Sequence, residues 1–251
     1  MNPTVPQSVI DEAMESDPAS AAAEYGAQFR TDVETFISRE IIDAAVVPGR
    51  FELPPIPGNA YVAFTDPSGG SSDSMTLAVA HQDRATKRVV LDAIRERRPP
   101  FSPDDVVLEF VAVLKSYRVR EVTGDRFGGE WPRERFRVHG IKYNVAEKPK
   151  SDIYRDALPI LNSNRAELLD VPRLSSQLCR LERRVSRAGR DSIDHPPGAH
   201  DDTANAVCGV LVTATSAPQP MRITDAALRR LSIPSVPAAF LQPSFTNRLR
   251  Y

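Results

Sequence analysis

The segment AYVAFTD, residues 60–66, is a short and nearly continuous apolar run that ends in an aspartate. A run of this length without polar alternation is typical of a central β-strand that is buried on both faces of its sheet. A sheet covered on both faces needs packed helices, which restricts the chain to an α/β architecture. We therefore predict an α/β domain in which Asp66 lies at the end of a central strand.

The segments that follow predict the rest of a mixed sheet and its flanking helices. Residues 75–81 and 88–94 are predicted to be two further strands of a meander. A helix is predicted to begin after Ser102, a good N-cap residue that is followed by a proline and two acids. Residues 118–125, RVREVTGD, alternate like a strand that again ends in an acid. A last helix is predicted over 200–214, where apolar residues recur at helical spacing.

Composition divides the chain into three parts. Residues 1–50 carry helix-like periodicity from Ser8 to Ala45 and end at a proline- and glycine-rich boundary, so a helical segment is predicted there. Residues 51–215 hold the predicted α/β domain. Residues 216–251 contain scattered prolines and are predicted to form an extended tail.

The overall composition excludes several classes of protein. The chain has 251 residues, 41% hydrophobic and 26% charged, as in an ordinary folded protein. No apolar run approaches the roughly 20 residues that cross a bilayer, and no signal peptide is visible, so we expect no membrane partner and a cytoplasmic location. Cys179 and Cys208 form no pattern typical of zinc or of a disulfide framework. A GxxxxGK[ST] motif is absent, so no P-loop ATP site is predicted.

Three acidic positions are predicted to meet at one edge of the sheet. If the strands ending in Asp66 and Asp125 are parallel neighbours, their carboxylates lie roughly 5 Å apart. On the last helix, Asp201 falls about 50° from the centre of the apolar stripe and Asp202 about 150°. Asp201 is therefore predicted to point toward the sheet, and substitution of Asp202 is predicted to have the milder effect.

A divalent cation would relieve the repulsion within this carboxylate cluster. Carboxylates this close raise one another's pKa values unless a cation lies between them. Oxygen ligands without cysteine or clustered histidine favour Mg²⁺ or Mn²⁺, and two such ions hydrolyse phosphodiesters. Each acid also has a structural interpretation: Asp66 could cap a loop, Asp125 could start a turn, and Asp201 and Asp202 could be ordinary acids at a helix N-terminus.

The segment 173–190 is locally basic, although the net charge of the chain is −1. It carries six arginines against one glutamate. Such a cluster predicts a surface for DNA phosphates, with a solvated face as the alternative. The predicted DNA-binding residues are Arg180, Arg183, Arg184, Arg187 and Arg190.

Three motifs resemble the nuclease part of phage terminase large subunits. They are FTDPSGGSSDSMTLAVAH, VTGDRFGGEW and LERRVSRAGRDSIDHPPGAHDDTANAV. The resemblance covers nearly the whole chain and implies an RNase H-like mixed sheet flanked by helices. In that family the first acid lies on the first strand, the second on the fourth and the third at the start of a late helix. Asp66, Asp125 and Asp201 match these positions, and Asp202 would support them or bind a second ion.

The resemblance also implies a function and partners. It implies a metal-dependent endonuclease that cuts concatemeric double-stranded DNA in the cytoplasm of a bacterial host. Portal protein, small terminase subunit and an ATPase domain, which this chain lacks, would be its partners. Asp73 and His200 are possible accessory residues. A junction resolvase or transposase type of nuclease, or a non-catalytic DNA-binding or portal-docking module, are the alternatives.

Overall fold

A computed structural model describes residues 6–9, 11, 33–126, 130–185 and 191–217. These residues fall within one compact unit that spans Met1–Ala217. The predicted tail lies outside the described residues apart from its first two positions, and so does most of the predicted N-terminal helical segment.

Two β-sheets account for nine strands in the described residues. The first sheet has the order β1-β8-β9, with β1 at Val33–Thr35, β8 at Glu182–Val185 and β9 at Asp191–Asp194. The second sheet has six strands in the order β6-β5-β2-β3-β4-β7. Its strands are β2 at Tyr61–Asp66, β3 at Met75–Gln82, β4 at Val89–Arg97, β5 at Glu121–Gly124, β6 at Lys142–Val145 and β7 at Ala166–Glu167.

The six-stranded sheet is mixed, as the sequence predicts. Strands β2, β3 and β4 form an antiparallel meander. Strand β5 lies on the other side of β2 and runs parallel to it, and β6 runs parallel to β5. The carboxyl ends of β2 and β5 therefore open at the same edge of the sheet, which is the arrangement that the two strand-terminal acids require.

Helices cover both faces of this sheet. They are α1 at Arg39–Ala45, α2 at Pro103–Ser116, α3 at Trp131–Val138, α4 at Lys150–Asn162, α5 at Pro172–Cys179 and α6 at Asp202–Ser216. Helix α2 begins where predicted, because the Ser102 side chain accepts a hydrogen bond from the Asp105 N–H. One buried cluster joins α2 and α3 to the sheet, and a second joins α1, α4, α5 and α6 to it.

Helix α6 lies unusually close to the central strand. A Cβ atom added at Gly209 would come within 2.4 Å of the Phe64 ring of β2, so only glycine permits this approach. All residues from Asp202 to Leu211 are buried. The first ten residues of this helix are therefore enclosed on all sides, and its N-terminus lies where β2 ends and β3 begins.

The N-terminal part differs from its prediction. Helix-like periodicity predicts a helix up to Ala45, but Val33–Thr35 forms strand β1 and pairs with β8. The prediction of a helix over these residues is wrong, because pairing with a distant segment, the β8–β9 hairpin, decides their backbone conformation. Ile37 and Ile42 are then buried in the same cluster as the main sheet.

Candidate metal centre

Parallel pairing of β2 and β5 brings Asp66 and Asp125 side by side. Phe64 pairs with Thr123 and Thr65 with Gly124, so the two acids occupy the next register position. The Asp125 N–H donates to the Thr65 carbonyl at 3.4 Å, which continues the pairing beyond the strand. The two strands are thus parallel neighbours, which is the condition under which the sequence predicts that these two carboxylates meet.

Helix α6 adds two further acids to the same place. Asp201 is the N-cap residue of the helix and Asp202 is its first residue. Both side chains are buried, with 4% and 6% exposure. Together with the strand-terminal acids they line a cavity of about 280 Å³. The remaining lining residues are Pro67, Ser68, Asp73, Ser74, Lys150, His195, His200 and Asn205.

Asn205 is a polar residue of the site that the sequence analysis missed. It is fully buried, and its Nδ2 donates to Asp125 Oδ2 at 2.7 Å. This bond fixes the orientation of the amide. The other amide atom, Oδ1, is a buried acceptor without a hydrogen-bond partner. The visible clue was an asparagine four positions after Asp201, since residues at this spacing share a helix face.

Burial and mutual repulsion raise the pKa values of three cavity acids. Burial raises the pKa of Asp66 well above its ordinary value, and the charges of Asp125, Asp202 and Asp201 raise it further, against a hydrogen bond from Asn205. Burial likewise raises the pKa of Asp125 and of Asp202. The cavity therefore favours either protons or a cation beside these carboxylates.

Asp201 differs from the other three acids because α4 supplies it with donors. The Tyr154 hydroxyl donates to Asp201 Oδ2 at 2.6 Å. The Lys150 Nζ atom lies 3.0 Å from the same oxygen and 2.9 Å from Asp194 Oδ1. Burial opposes the charge on Lys150, but Asp201 and Asp194 outweigh it and raise the pKa of this lysine. Neither Lys150 nor Tyr154 was predicted from the sequence to belong to the site.

The predicted orientation of Asp202 is wrong. Its carboxylate does not point away from the sheet, because Oδ2 accepts a 3.4 Å hydrogen bond from the Ser74 N–H just before β3. Every residue from Asp202 to Leu211 is buried, so no face of the first turn of α6 points to solvent, and distance from the apolar stripe does not decide the orientation of Asp202. Asp202 lies beside Ser74, Asp73 and His200, whereas Asp201 faces Lys150 and Tyr154 of α4.

Two groups of three residues have candidate metal-ligand atoms within 4.8 Å of one another in the part of the chain that is described. One consists of Asp73, His200 and Asp202, and the other of Asp194, His195 and Asp201. Asp73 and His200, the two accessory candidates, are exposed, and His200 Nδ1 lies 3.4 Å from Asp73 Oδ1. Asp66 and Asp125 belong to neither group, so the four acids are spread along the cavity.

The arginines predicted to bind DNA are only partly described. Arg183 and Arg184 lie on β8, whereas Arg187 and Arg190 lie outside the described residues. Arg184 is 3.0 Å from Glu182 and donates to the His195 carbonyl, so it links the hairpin to the cavity rim. Arg180 is exposed after the end of α5.

The described helices include none that combines the length and the apolar character needed to span a bilayer. No protein-family model matches the chain, and no curated protein matches it in sequence.

Solved structures of phage proteins resemble this one closely in fold. The large terminase nuclease from thermophilic phage G20c gives a TM-score of 0.60 at 15% identity, over 74% of this chain and 99% of that chain. It has also been solved with bound magnesium. The HK97 bacteriophage large terminase gives 0.58 at 13% identity, over 85% of this chain and 52% of that chain.

A third similar structure is the nuclease domain of the large terminase subunit of bacterial virus Sf6, solved with manganese. It gives a TM-score of 0.54 at 13% identity, over 74% of this chain and 100% of that chain. The similar structures therefore support the same fold as the described mixed sheet with its flanking helices. The chain therefore has the RNase H-like fold of phage large terminase nuclease domains.

Proposed function

We propose that this protein is the metal-dependent endonuclease of a phage DNA-packaging motor and belongs to the terminase large subunit family. The observation that carries the proposal is the convergence of Asp66, Asp125, Asp201 and Asp202 on one cavity at the ends of two parallel strands and a helix. The similar structures support it, since they are terminase nucleases and some contain magnesium or manganese.

The cavity residues suit a hard divalent cation. Most of its candidate ligands are carboxylate oxygens, which favour Mg²⁺ or Mn²⁺. The buried Asn205 Oδ1 atom, which has no partner, is a further oxygen available to an ion or to its water. We propose that Asp66, Asp125 and Asp201 hold one ion and that Asp202 contributes to a second. When bound, two such ions supply an activated water and stabilise the charge that develops on the phosphate.

The protein's own residues arrange these ligands. Asp66 lies beside Asp125 at the carboxyl ends of β2 and β5, where burial and the charges of Asp125, Asp202 and Asp201 raise the pKa of its carboxyl. Asn205 holds the Asp125 carboxylate through Nδ2, and Lys150 with Tyr154 holds that of Asp201. Two side chains are thus oriented by neighbours before any ion binds, which limits the reorganisation that the reaction requires.

The proposed substrate is concatemeric double-stranded DNA. The arginines at 180, 183, 184, 187 and 190 are proposed to contact its phosphates, supported by the link from Arg184 to the cavity rim. We propose residues 51–215 as the nuclease domain, between a helical segment over 1–50 and an extended tail over 216–251. An ATPase domain, portal protein and small terminase subunit are the proposed partners in the cytoplasm of a bacterial host.

Plasmid nicking tests the proposed activity. The full chain should convert supercoiled plasmid to open circles in Mn²⁺ or Mg²⁺ and not in EDTA. Asp66→Asn should abolish conversion, whereas Asp105→Asn, an exposed acid of α2, should retain it. A four-way DNA junction serves as the competing substrate. Preference for the junction over linear duplex would favour a resolvase-type nuclease, and no metal-dependent cleavage of either would contradict the proposal.

A further inference from the structure

A second cavity lies next to the acidic one and differs from it in charge. It measures about 390 Å³, and its lining includes Arg98, Arg173, Ser176, Gln177, Arg180 and His200. His200 also lines the acidic cavity, so the two cavities meet at this residue. We call the second cavity the arginine pocket.

The arginine pocket has more positive than negative charge. Arg173 Nε lies 2.7 Å from Glu96 Oε1, and Arg98 Nε lies 3.7 Å from Glu96 Oε2. Glu96 also accepts a hydrogen bond from the Ser74 hydroxyl. Two arginines therefore share one carboxylate, and the Arg173 contact is not an aligned hydrogen bond. Arg180, the third arginine, is exposed to solvent. An anion would balance this excess of charge.

Gln177 provides independent evidence for an anionic ligand. Its Oε1 accepts a 2.9 Å hydrogen bond from the Ala204 N–H in the first turn of α6, which fixes the orientation of the amide. The other end, Nε2, is then a donor, and it has no partner although the side chain is only 6% exposed. A buried donor without an acceptor is unfavourable, so a ligand oxygen would stabilise this arrangement.

We propose that the arginine pocket binds a phosphodiester group of the DNA strand that enters the acidic cavity. The proposal rests on the proposed function, because that function makes a nucleic-acid strand the ligand. Guanidinium groups and an amide N–H match the oxygens of a phosphate. The acidic cavity repels a phosphate until cations bind, whereas the adjacent pocket attracts one. Gln177 also accepts a hydrogen bond from the first turn of α6, the helix whose N-terminus carries Asp201 and Asp202. The pocket and the two acids are therefore positioned by the same helix.

Gln177→Glu is the most specific substitution for this test. The new carboxylate keeps an acceptor for the Ala204 N–H and replaces the free donor with an acceptor that repels phosphate. Arg180→Gln is the second variant. The Arg180 side chain is exposed, so its replacement should leave folding unchanged. Arg120→Gln is the matched control: it removes the same charge from an exposed arginine immediately before β5, at the opposite end of that strand from Asp125.

Affinity for a labelled duplex should be measured by fluorescence anisotropy across a salt series, with the full chain in Ca²⁺. Gln177→Glu should weaken binding by about tenfold or more, the loss expected for a hydrogen bond to a charged group. Arg180→Gln should reduce the slope of log affinity against log salt by about 0.9, as expected when one phosphate is no longer neutralised. Arg120→Gln should match the parent. Parent-like affinity and slope in both pocket variants would overturn the proposal.

Thermal shift with inorganic phosphate separates a strand phosphate from free phosphate. Stabilisation of the parent by phosphate that disappears in Gln177→Glu, together with reduced duplex affinity, supports the proposal. If that stabilisation disappears while duplex affinity is unchanged, the pocket takes free phosphate only, which overturns the proposal. Neither measurement depends on cleavage. If the parent does not nick plasmid but the pocket variants show these binding losses, the proposed nuclease activity is contradicted and the proposed phosphate site is supported.

Discussion

Two regions of this protein bury acidic side chains, and they do so in different ways. Asp92 on β4 is 1% exposed, and its Oδ2 lies 2.7 Å from His81 Nδ1 on the neighbouring strand. Burial raises the pKa of Asp92, while the hydrogen bond and charge of His81 lower it. The candidate metal centre instead gathers Asp66, Asp125, Asp201 and Asp202 in one cavity. There Asp201 has two side-chain donors, Lys150 and Tyr154, whereas Asp125 and Asp202 have one described donor each, Asn205 and the Ser74 N–H.

This difference separates an acid with a matched partner from a group of acids with few donors. A buried acid with a matched partner contributes to the fold, and removal of one partner leaves the other unsatisfied. A group of buried acids with too few partners destabilises the protein until a cation arrives. Burial of a carboxylate alone therefore does not identify a functional site. The balance between carboxylates and donors around it does.

The largest expected effect is that Asp66→Asn loses cleavage and keeps its stability, whereas Asp92→Asn loses stability and keeps its cleavage. Asp66→Asn should reduce cleavage by at least about 100-fold, since even residues that only support metal ligands cost up to that much. Its melting temperature in EDTA should hold or rise. Asp92→Asn should lose about 1–3 kcal/mol of stability and keep its cleavage rate per folded molecule. Plasmid nicking and thermal melts give both values. A loss of cleavage in Asp92→Asn at full folding would remove the distinction.

A similar contrast is expected inside the metal centre, between Asp201 and Asp202. Both Asn variants should cut more slowly than the parent. Without metal, Asp201→Asn should be less stable by about 1–2 kcal/mol, because Lys150 and Tyr154 lose a charged acceptor. Asp202→Asn should be as stable as the parent or more so, since burial and the charges of Asp201 and Asp73 raise the pKa of its carboxyl against the hydrogen bond from the Ser74 N–H.

Melts in EDTA measure this difference directly. Equal destabilisation by the two variants would show that the hydrogen bond from the Ser74 N–H stabilises the Asp202 carboxylate as much as Lys150 and Tyr154 stabilise that of Asp201. A parent-like cutting rate in Asp202→Asn would restore the sequence-based ranking.

The pH dependence of stability should also distinguish the two regions. The folded-state pKa of Asp66 lies above its unfolded value near 3.8, so the folded form binds more protons in the window above that value. Metal-free stability due to this group is therefore highest at low pH and is lost as pH rises through the raised pKa. We expect the melting temperature of Asp66→Asn to exceed the parent's by a margin that grows between about pH 4 and pH 8 in EDTA. A constant margin across this window would show that the Asp66 carboxyl is not destabilised. Excess Mg²⁺ should remove the margin or reverse it.

The smallest expected effect belongs to the arginines of the β8–β9 hairpin. Arg183→Ala with Arg184→Ala and Arg187→Ala should weaken duplex binding equally for unrelated sequences, because phosphate contacts carry no base information. The salt slope should become shallower by about 0.9 for each phosphate that the variant no longer neutralises. Anisotropy titrations in Ca²⁺ with two unrelated duplexes measure both quantities. Identical slopes in parent and variant would remove the hairpin from the DNA-binding surface.

Local patterns were sufficient to predict the elements on which the site is built. The run that ends at Asp66 is nearly continuously apolar, and the helix after Ser102 has its own cap, so both depend on near neighbours in the chain. The strand that precedes Asp125 is likewise visible from its alternation. These features also carry the resemblance to terminase nucleases, and the fold agrees with it.

Long-range contacts decided the rest. Lys150 and Asp201 are 51 positions apart, and Ser74 and Asp202 are 128 apart, so no local pattern indicates either contact. The same is true of β1, whose conformation depends on β8. The sequence by itself determined which carboxylates lie at strand and helix ends, because strand and helix periodicity is local. Only the tertiary structure decided which of those carboxylates have donors beside them, because that depends on which distant residues pack around α6.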